Sequence, residues 1–152
     1  MADDVYKKAK NYALRVLTYR QRTKQEMIDK LHQKGYKADI IKDVITFLQE
    51  YQFIDDYKYA CQWVEYRLKT KPMGARGIKY QLKKRGIDDE IIEKALSTVT
   101  PETELELARQ LVSKAKRTGD KPPSYRKLAA MLQRRGFEYY TIKNVLSEVE
   151  RQ

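Results

Sequence analysis

Apolar residues recur along this chain in a helical rhythm that restarts three times. Counted back from Gly35, Gly86 and Gly136, position minus eight holds Met27, Ile78 and Leu128, and minus four holds Leu31, Leu82 and Leu132. An apolar pair four residues apart predicts one buried helix face. Position minus twelve holds Thr23, Gly74 and Ser124, residue types that suit a helix N-cap. Glu26 follows Thr23 by three and completes a capping box. Pro72 and the pair Pro122-Pro123 stand just before their caps, where a missing N–H does no harm.

Each glycine is expected to end its helix in a left-handed turn. The next residue is apolar every time (Tyr36, Ile87, Phe137), ready to fold back on the last turn as in a Schellman cap. The preceding residue is Lys34, Arg85 or Arg135, a cation at the negative end of the helix dipole. Apolar residues resume at plus six (Ile41, Ile92, Ile142) and at plus nine and ten, predicting a further helix in register in all three copies. Upstream of each cap lies another apolar face. It comprises Ala13, Val16 and Leu17; then Ala60, Trp63, Val64, Arg67 and Leu68 behind a cap at Asp55; then Leu105, Ala108, Leu111 and Val112. No stretch sustains the alternation of a strand. The expected fold is all-α, a tandem array of three three-helix repeats over residues 5–51, 52–99 and 101–152, elongated and curved.

The glycines are 51 and 50 residues apart, so each unit has about fifty residues and is marginal alone. Neighbouring units are therefore expected to stack. Twelve tyrosines and one tryptophan are available to fill small cores or lie at unit boundaries with wet hydroxyls.

The formal net charge is +11, and it is spread along the chain. The three segments Met1–Tyr51, Gln52–Thr100 and Pro101–Gln152 carry 11, 10 and 11 basic residues against 7 acidic ones each. A long positive surface suits a long negative partner such as a nucleic-acid backbone or a polymer coated with one. If Ile78 and Leu82 mark the buried face of their helix, Arg76, Lys79 and Lys83 share the opposite face, flanked by Lys84 and Arg85. Arg67, Lys69 and Lys71 reach the same unit from upstream. Arg20 and Arg22 are the first unit's candidates, and Arg117, Arg126 and Arg134 those of the third. The bland alternative is a solvated basic exterior.

Candidate chemistry is thin. The one histidine, His32, and the one cysteine, Cys61, fall on different helices, with His32 expected in solvent and Cys61 in the core. No four-ligand zinc spacing occurs, so neither metal nor cofactor is expected. Asp55-Asp56 and Asp88-Asp89 open helices, where acids stabilise the first turn. Gly74-Ala75-Arg76-Gly77 has no preceding strand and no following Gly-Lys-Ser/Thr, so it is not a phosphate loop. These features argue against an enzyme. A helix-turn-helix reading is disfavoured because the third helix of each unit opens on Asp39, Asp88-Asp89-Glu90 or Glu138, acids that would face phosphates. Nucleic-acid contact is expected to be sequence-neutral and salt-dependent. Neither a signal peptide nor a membrane-length apolar run is present, and a reducing, cytoplasmic setting is the expectation.

With these residues assembled, the chain resembles the RecX family of recombination regulators along essentially its whole length. The resemblance rests most on Phe53-Ile54-Asp55-Asp56-Tyr57-Lys58-Tyr59-Ala60, on the turn Lys71-Pro72-Met73-Gly74, and on Gln81-Leu82-Lys83-Lys84-Arg85-Gly86-Ile87-Asp88. Thr23 through Tyr36 fits as well, and the third copy is the most divergent. The resemblance implies a regulator that lodges in the groove of the RecA–DNA filament. It would restrain ATPase and strand exchange, limit filament growth, and damp recombination and the SOS response. The implied partner is the RecA filament, with weak contact to single- or double-stranded DNA, no membrane, and a monomeric state. The competing expectation is a sequence-independent single-strand binding module that acts without a recombinase.

Overall fold

A computed structural model of the chain describes residues 2–150. Among these residues there are nine α-helices and no strand. They are α1 (Ala2–Tyr19), α2 (Lys24–Gln33), α3 (Ala38–Glu50), α4 (Asp56–Lys69), α5 (Ala75–Lys84), α6 (Asp89–Leu96), α7 (Pro101–Arg117), α8 (Tyr125–Arg134) and α9 (Tyr139–Glu150). Three helices therefore serve each repeat, as the apolar pattern requires.

The caps form where the sequence places them. Thr23 Oγ1 accepts the Glu26 N–H while a Glu26 carboxylate oxygen accepts the Thr23 N–H, the reciprocal box. Ser124 Oγ accepts the Lys127 N–H at 3.3 Å, and Asp55 Oδ1 accepts the Lys58 N–H at 3.1 Å. At the other end of each second helix, the N–H groups of Tyr36, Ile87 and Phe137 reach the carbonyls of Leu31, Leu82 and Leu132 at 3.1–3.2 Å. The three glycines between have φ of +95°, +84° and +80°, completing the Schellman geometry.

In the first repeat α1 and α2 pack on α3 around Ala13, Val16, Met27, Leu31, Val44, Ile45 and Leu48, joined by Ile54 from the second. In the third repeat α7 and α8 pack on α9 around Ala108, Leu111, Val112, Leu128, Leu132, Phe137, Val145 and Leu146. The central equivalents Ala60, Val64, Ile78, Leu82, Ile87, Ile92 and Ala95 are also buried. Two sequence expectations need correcting. Cys61 is half-buried rather than core, one residue off the stripe that buries Ala60 and Val64. The tyrosines contribute less to the cores than expected: Tyr6, Tyr12 and Tyr36 pack half-buried against the first, none is fully buried, and Tyr19, Tyr51, Tyr57, Tyr66, Tyr80, Tyr125, Tyr139 and Tyr140 are exposed.

The chain divides into two compact units, and the division falls inside the middle repeat. One unit holds residues 1–60 with 82–92; the other holds 61–81 with 93–152. Each contains one terminal repeat, part of the central one, and the joint between them.

The two joints follow one plan. In the first unit the Lys24 N–H, at the start of α2, donates to Asp56 Oδ1 at 2.8 Å, and Thr23 Oγ1 donates to the Arg85 carbonyl at 2.7 Å. In the second unit the Ala75 N–H, at the start of α5, donates to Glu104 Oε1 at 2.5 Å, and the Gly74 N–H donates to the Arg135 carbonyl at 2.8 Å. The head of one repeat's second helix is thus satisfied by an acid from the next repeat's first helix and by the turn that ends its second. Burial pushes the carboxyl groups of Asp56 and Glu104 above their ordinary range, against the amide hydrogen bonds that favour the charged form.

Gly74 differs from Thr23 because the second joint is tighter. A Cβ on Gly74 would lie 2.5 Å from the Gly136 carbonyl oxygen and 2.7 Å from Phe137 Cα. No side chain fits there, and the backbone N–H makes the bond that a hydroxyl makes in the first joint.

Candidate functional site

The cations singled out in the sequence fall into two groups, those already engaged and those held outward. In the second unit, Arg67 is half-buried, 5.3 Å over the Trp63 ring and 5.7 Å from that of Tyr66. Its Nε and the indole N–H of Trp63 both donate to Gln81 Oε1, at 3.1 and 2.8 Å. Arg67 is therefore built into packing as well as charge. Lys69 pairs with Glu65 at 2.9 Å, and Lys79 with Glu93 at 2.9 Å. Lys71 is exposed with a φ of +52°, on the turn whose Pro72 carbonyl accepts Arg135 Nη1 at 3.2 Å.

Arg76 is exposed, as are Arg117, Arg126 and Arg134. By helical register Arg126 borders the stripe Tyr125, Ala129 and Gln133 of α8, while Arg134 lies on the other flank with Lys127. The four arginines do not form a single cluster on one element.

In the first unit, Arg20 pairs with Glu26 at 3.1 Å, and Arg22 is half-buried beside a crevice of about 40 Å³ with Gln52, Phe53, Asp55 and Tyr59. Lys83 pairs with Asp89 at 3.1 Å. Lys84 is exposed, and Arg85 is half-buried with its guanidinium on the Tyr59 hydroxyl. Arg85 is therefore part of the first joint. Ion pairs with both side chains this exposed add little stability, so Lys69, Lys79 and Lys83 can exchange their carboxylates for another anion cheaply.

A cavity of about 390 Å³ lies in the second unit, lined by Arg76, Tyr125, Ala129, Gln133, Phe137, Tyr139, Ile142 and Lys143. Phe137 and Ile142 are 2% and 9% exposed and form an apolar floor, whereas Tyr125 and Tyr139 are 51% and 76% exposed. Of these residues only Arg76 is a binding candidate in the sequence; Phe137 and Ile142 are read there as core. Another depression of about 260 Å³ holds Arg109, whose guanidinium forms a two-pronged pair with Glu148 at 2.7 and 2.8 Å. Its charge is spent internally.

Among the described residues no group of three or more His, Cys, Asp or Glu side chains is placed to hold a metal ion, and no helix is long and apolar enough to cross a membrane. His32 is exposed on α2.

Known proteins share this arrangement. Residues 9–48 match the pattern described as RecX, first three-helix domain; residues 55–96 match the second, and residues 102–146 the third. The regulatory protein RecX of Clostridium tetani is 34% identical over 152 residues, covering 97% of this chain and 69% of its own. The regulatory protein RecX of Mycolicibacterium smegmatis is 37% identical over 146 residues, covering 91% and 78%. The chain belongs to the RecX family. The crystal structure of RecX from Lactobacillus salivarius superposes with a TM-score of 0.86 at 32% identity, covering 100% of both chains.

The second and third repeats of this RecX-family chain differ where the cavity lies. Counted from each glycine, positions minus seven and plus seven hold Lys79 and Glu93 in the second repeat but Ala129 and Lys143 in the third. Positions minus three and plus three hold Lys83 and Asp89 in the second but Gln133 and Tyr139 in the third. Two ion pairs are replaced by side chains that cannot pair, and these four replacements all line the cavity. The signal was present in the sequence as a break in the repeat. Clustered positive charge does not mark it, because the change removes cations from α8.

Proposed function

We propose that this RecX-family chain binds the RecA recombinase filament and inhibits its ATPase, strand exchange and extension, so modulating recombination and the SOS response. The observation that carries this reading is membership of a family of regulatory proteins over all three repeats. The charge of +11 suits a partner coated with nucleic acid. The proposed contact surface comprises Arg20, Arg22, Arg67, Lys69, Lys71, Arg76, Lys79, Lys83, Lys84, Arg117, Arg126 and Arg134, with residues 5–51, 52–99 and 101–152 as its three modules. The protein acts as a cytoplasmic monomer and touches DNA weakly beside RecA.

The test is RecA ATPase on single-stranded DNA, titrated with the chain up to a one-to-one ratio. Inhibition at or below that ratio supports the reading, and an unchanged rate at equimolar protein rejects it.

A further inference from the structure

The cavity of the third repeat has a chemistry that regulation of a protein filament does not by itself require. Its floor is apolar, built from Ala129, Phe137 and Ile142. Tyr125 and Tyr139 stand exposed at the first turns of α8 and α9. Arg76 and Lys143 supply two positive charges, and no carboxylate lines the cavity. Neither cation has an ion pair among the described residues, whereas Lys79 and Lys83, which stand in the second repeat where Ala129 and Gln133 stand in the third, are both paired. Glu138, the nearest acid in sequence, is not part of the lining; it lies close enough to Glu104 for their charges to repel. An apolar floor in a cavity of about 390 Å³, exposed tyrosines and unneutralised cations together match a planar base joined to a phosphate. From Tyr125 to Gln133 the stripe on α8 is about 12 Å long at 1.5 Å per residue, room for a base and its flanking phosphates.

We infer that this cavity is a nucleotide subsite for single-stranded nucleic acid. One unpaired base stacks on tyrosine above Phe137 and Ile142, and the adjoining phosphate sits between Arg76 and Lys143. The subsite reads no sequence, because the lining offers a π face and charge, with Gln133 its one side-chain amide. Duplex DNA cannot enter without unstacking a base, so single strands are preferred. The second repeat lacks the subsite because ion pairs occupy the corresponding positions.

The test uses the full chain and needs no RecA, so its outcome is separate from that of the filament reading. Binding of a labelled oligothymidylate is compared with that of an abasic strand of equal length at one fixed salt concentration. The subsite predicts tighter binding of the strand that has bases, by about tenfold. Gln133→Lys with Tyr139→Asp copies the Lys83–Asp89 pair into the cavity and leaves net charge unchanged. It should abolish the preference for bases while leaving the abasic strand's affinity within about twofold. Tyr139→Ala, at an exposed position, gives the same reading should the double variant not fold. Equal binding of the two wild-type strands would overturn the proposal. So would undiminished base preference in both variants, or a Tyr139→Ala chain that keeps its oligonucleotide affinity.

Discussion

The hydroxyl of Thr23 donates to the main-chain carbonyl of Arg85, sixty-two residues away, at 2.7 Å. The same oxygen accepts the Glu26 N–H at 3.1 Å, and Thr23 is fully buried. One side chain therefore starts α2 and fastens it to the turn that ends α5. Thr23→Val keeps the shape and removes both bonds, leaving a buried carbonyl and an orphan N–H. It should lower unfolding stability by about 2 kcal/mol, whereas Thr23→Ser should cost under about 1 kcal/mol. Urea melts of the three proteins check the order.

Gly74 occupies the equivalent cap of the second joint, and the symmetry of the repeats suggests that threonine would serve there too. The backbone of Gly136 and Phe137 forbids it. Gly74→Thr should destabilise the chain by about 1–3 kcal/mol even though it restores the first repeat's residue. A melting temperature equal to wild type would mean that the second joint opens to admit a side chain.

Stability should depend on pH through Glu104. Burial raises its folded pKa above the ordinary 4.5, the Ala75 N–H opposes that rise, and Glu138 adds to it. The folded chain therefore holds this proton at pH values where the unfolded chain has released it. The contribution of Glu104 grows as pH falls through the folded value and levels off below the unfolded one. Glu104→Gln retains an oxygen for Ala75 and does not titrate. It should equal or exceed wild type at pH 7, and that advantage should shrink towards pH 4. Parallel thermal melts across this interval measure the difference, and a constant gap would count against it.

Arg67 and Lys79 should separate packing from charge. Arg67→Lys keeps the charge but loses the flat guanidinium over Trp63 and the fixed bond to Gln81, so about 1 kcal/mol of stability should go with it. Lys79→Ala breaks an exposed pair and should change stability by less than about 1 kcal/mol. If the basic surface meets RecA, the reversal Lys79→Glu with Lys83→Glu should weaken ATPase inhibition severalfold. Unchanged inhibition would remove the central cations from that surface.

The helices, caps and turns were legible because each is set by residues within a few positions of one another. Met27 with Leu31, and Thr23 with Glu26, declare a helix and its start without tertiary information. The joints were not legible, since nothing near Asp56 or Glu104 in the sequence says whose amide it will accept. The candidate cations were visible as charges, but their partners were not: Glu93 and Asp89 meet Lys79 and Lys83 only once α5 and α6 are folded. The cavity escaped for a related reason. Ala129 and Gln133 look like losses from a basic stripe until Tyr139 and Lys143 are placed opposite them.

Because the compact units cut across the middle repeat, the smallest exchangeable piece of this protein is not one repeat. Excising the last fifty residues would strip residues 61–81 of the surroundings in which they are folded, while residues 82–92 would keep theirs against residues 1–60. A natural lengthening of such a chain must keep each second helix's head beside the acid and the turn of the module that follows it.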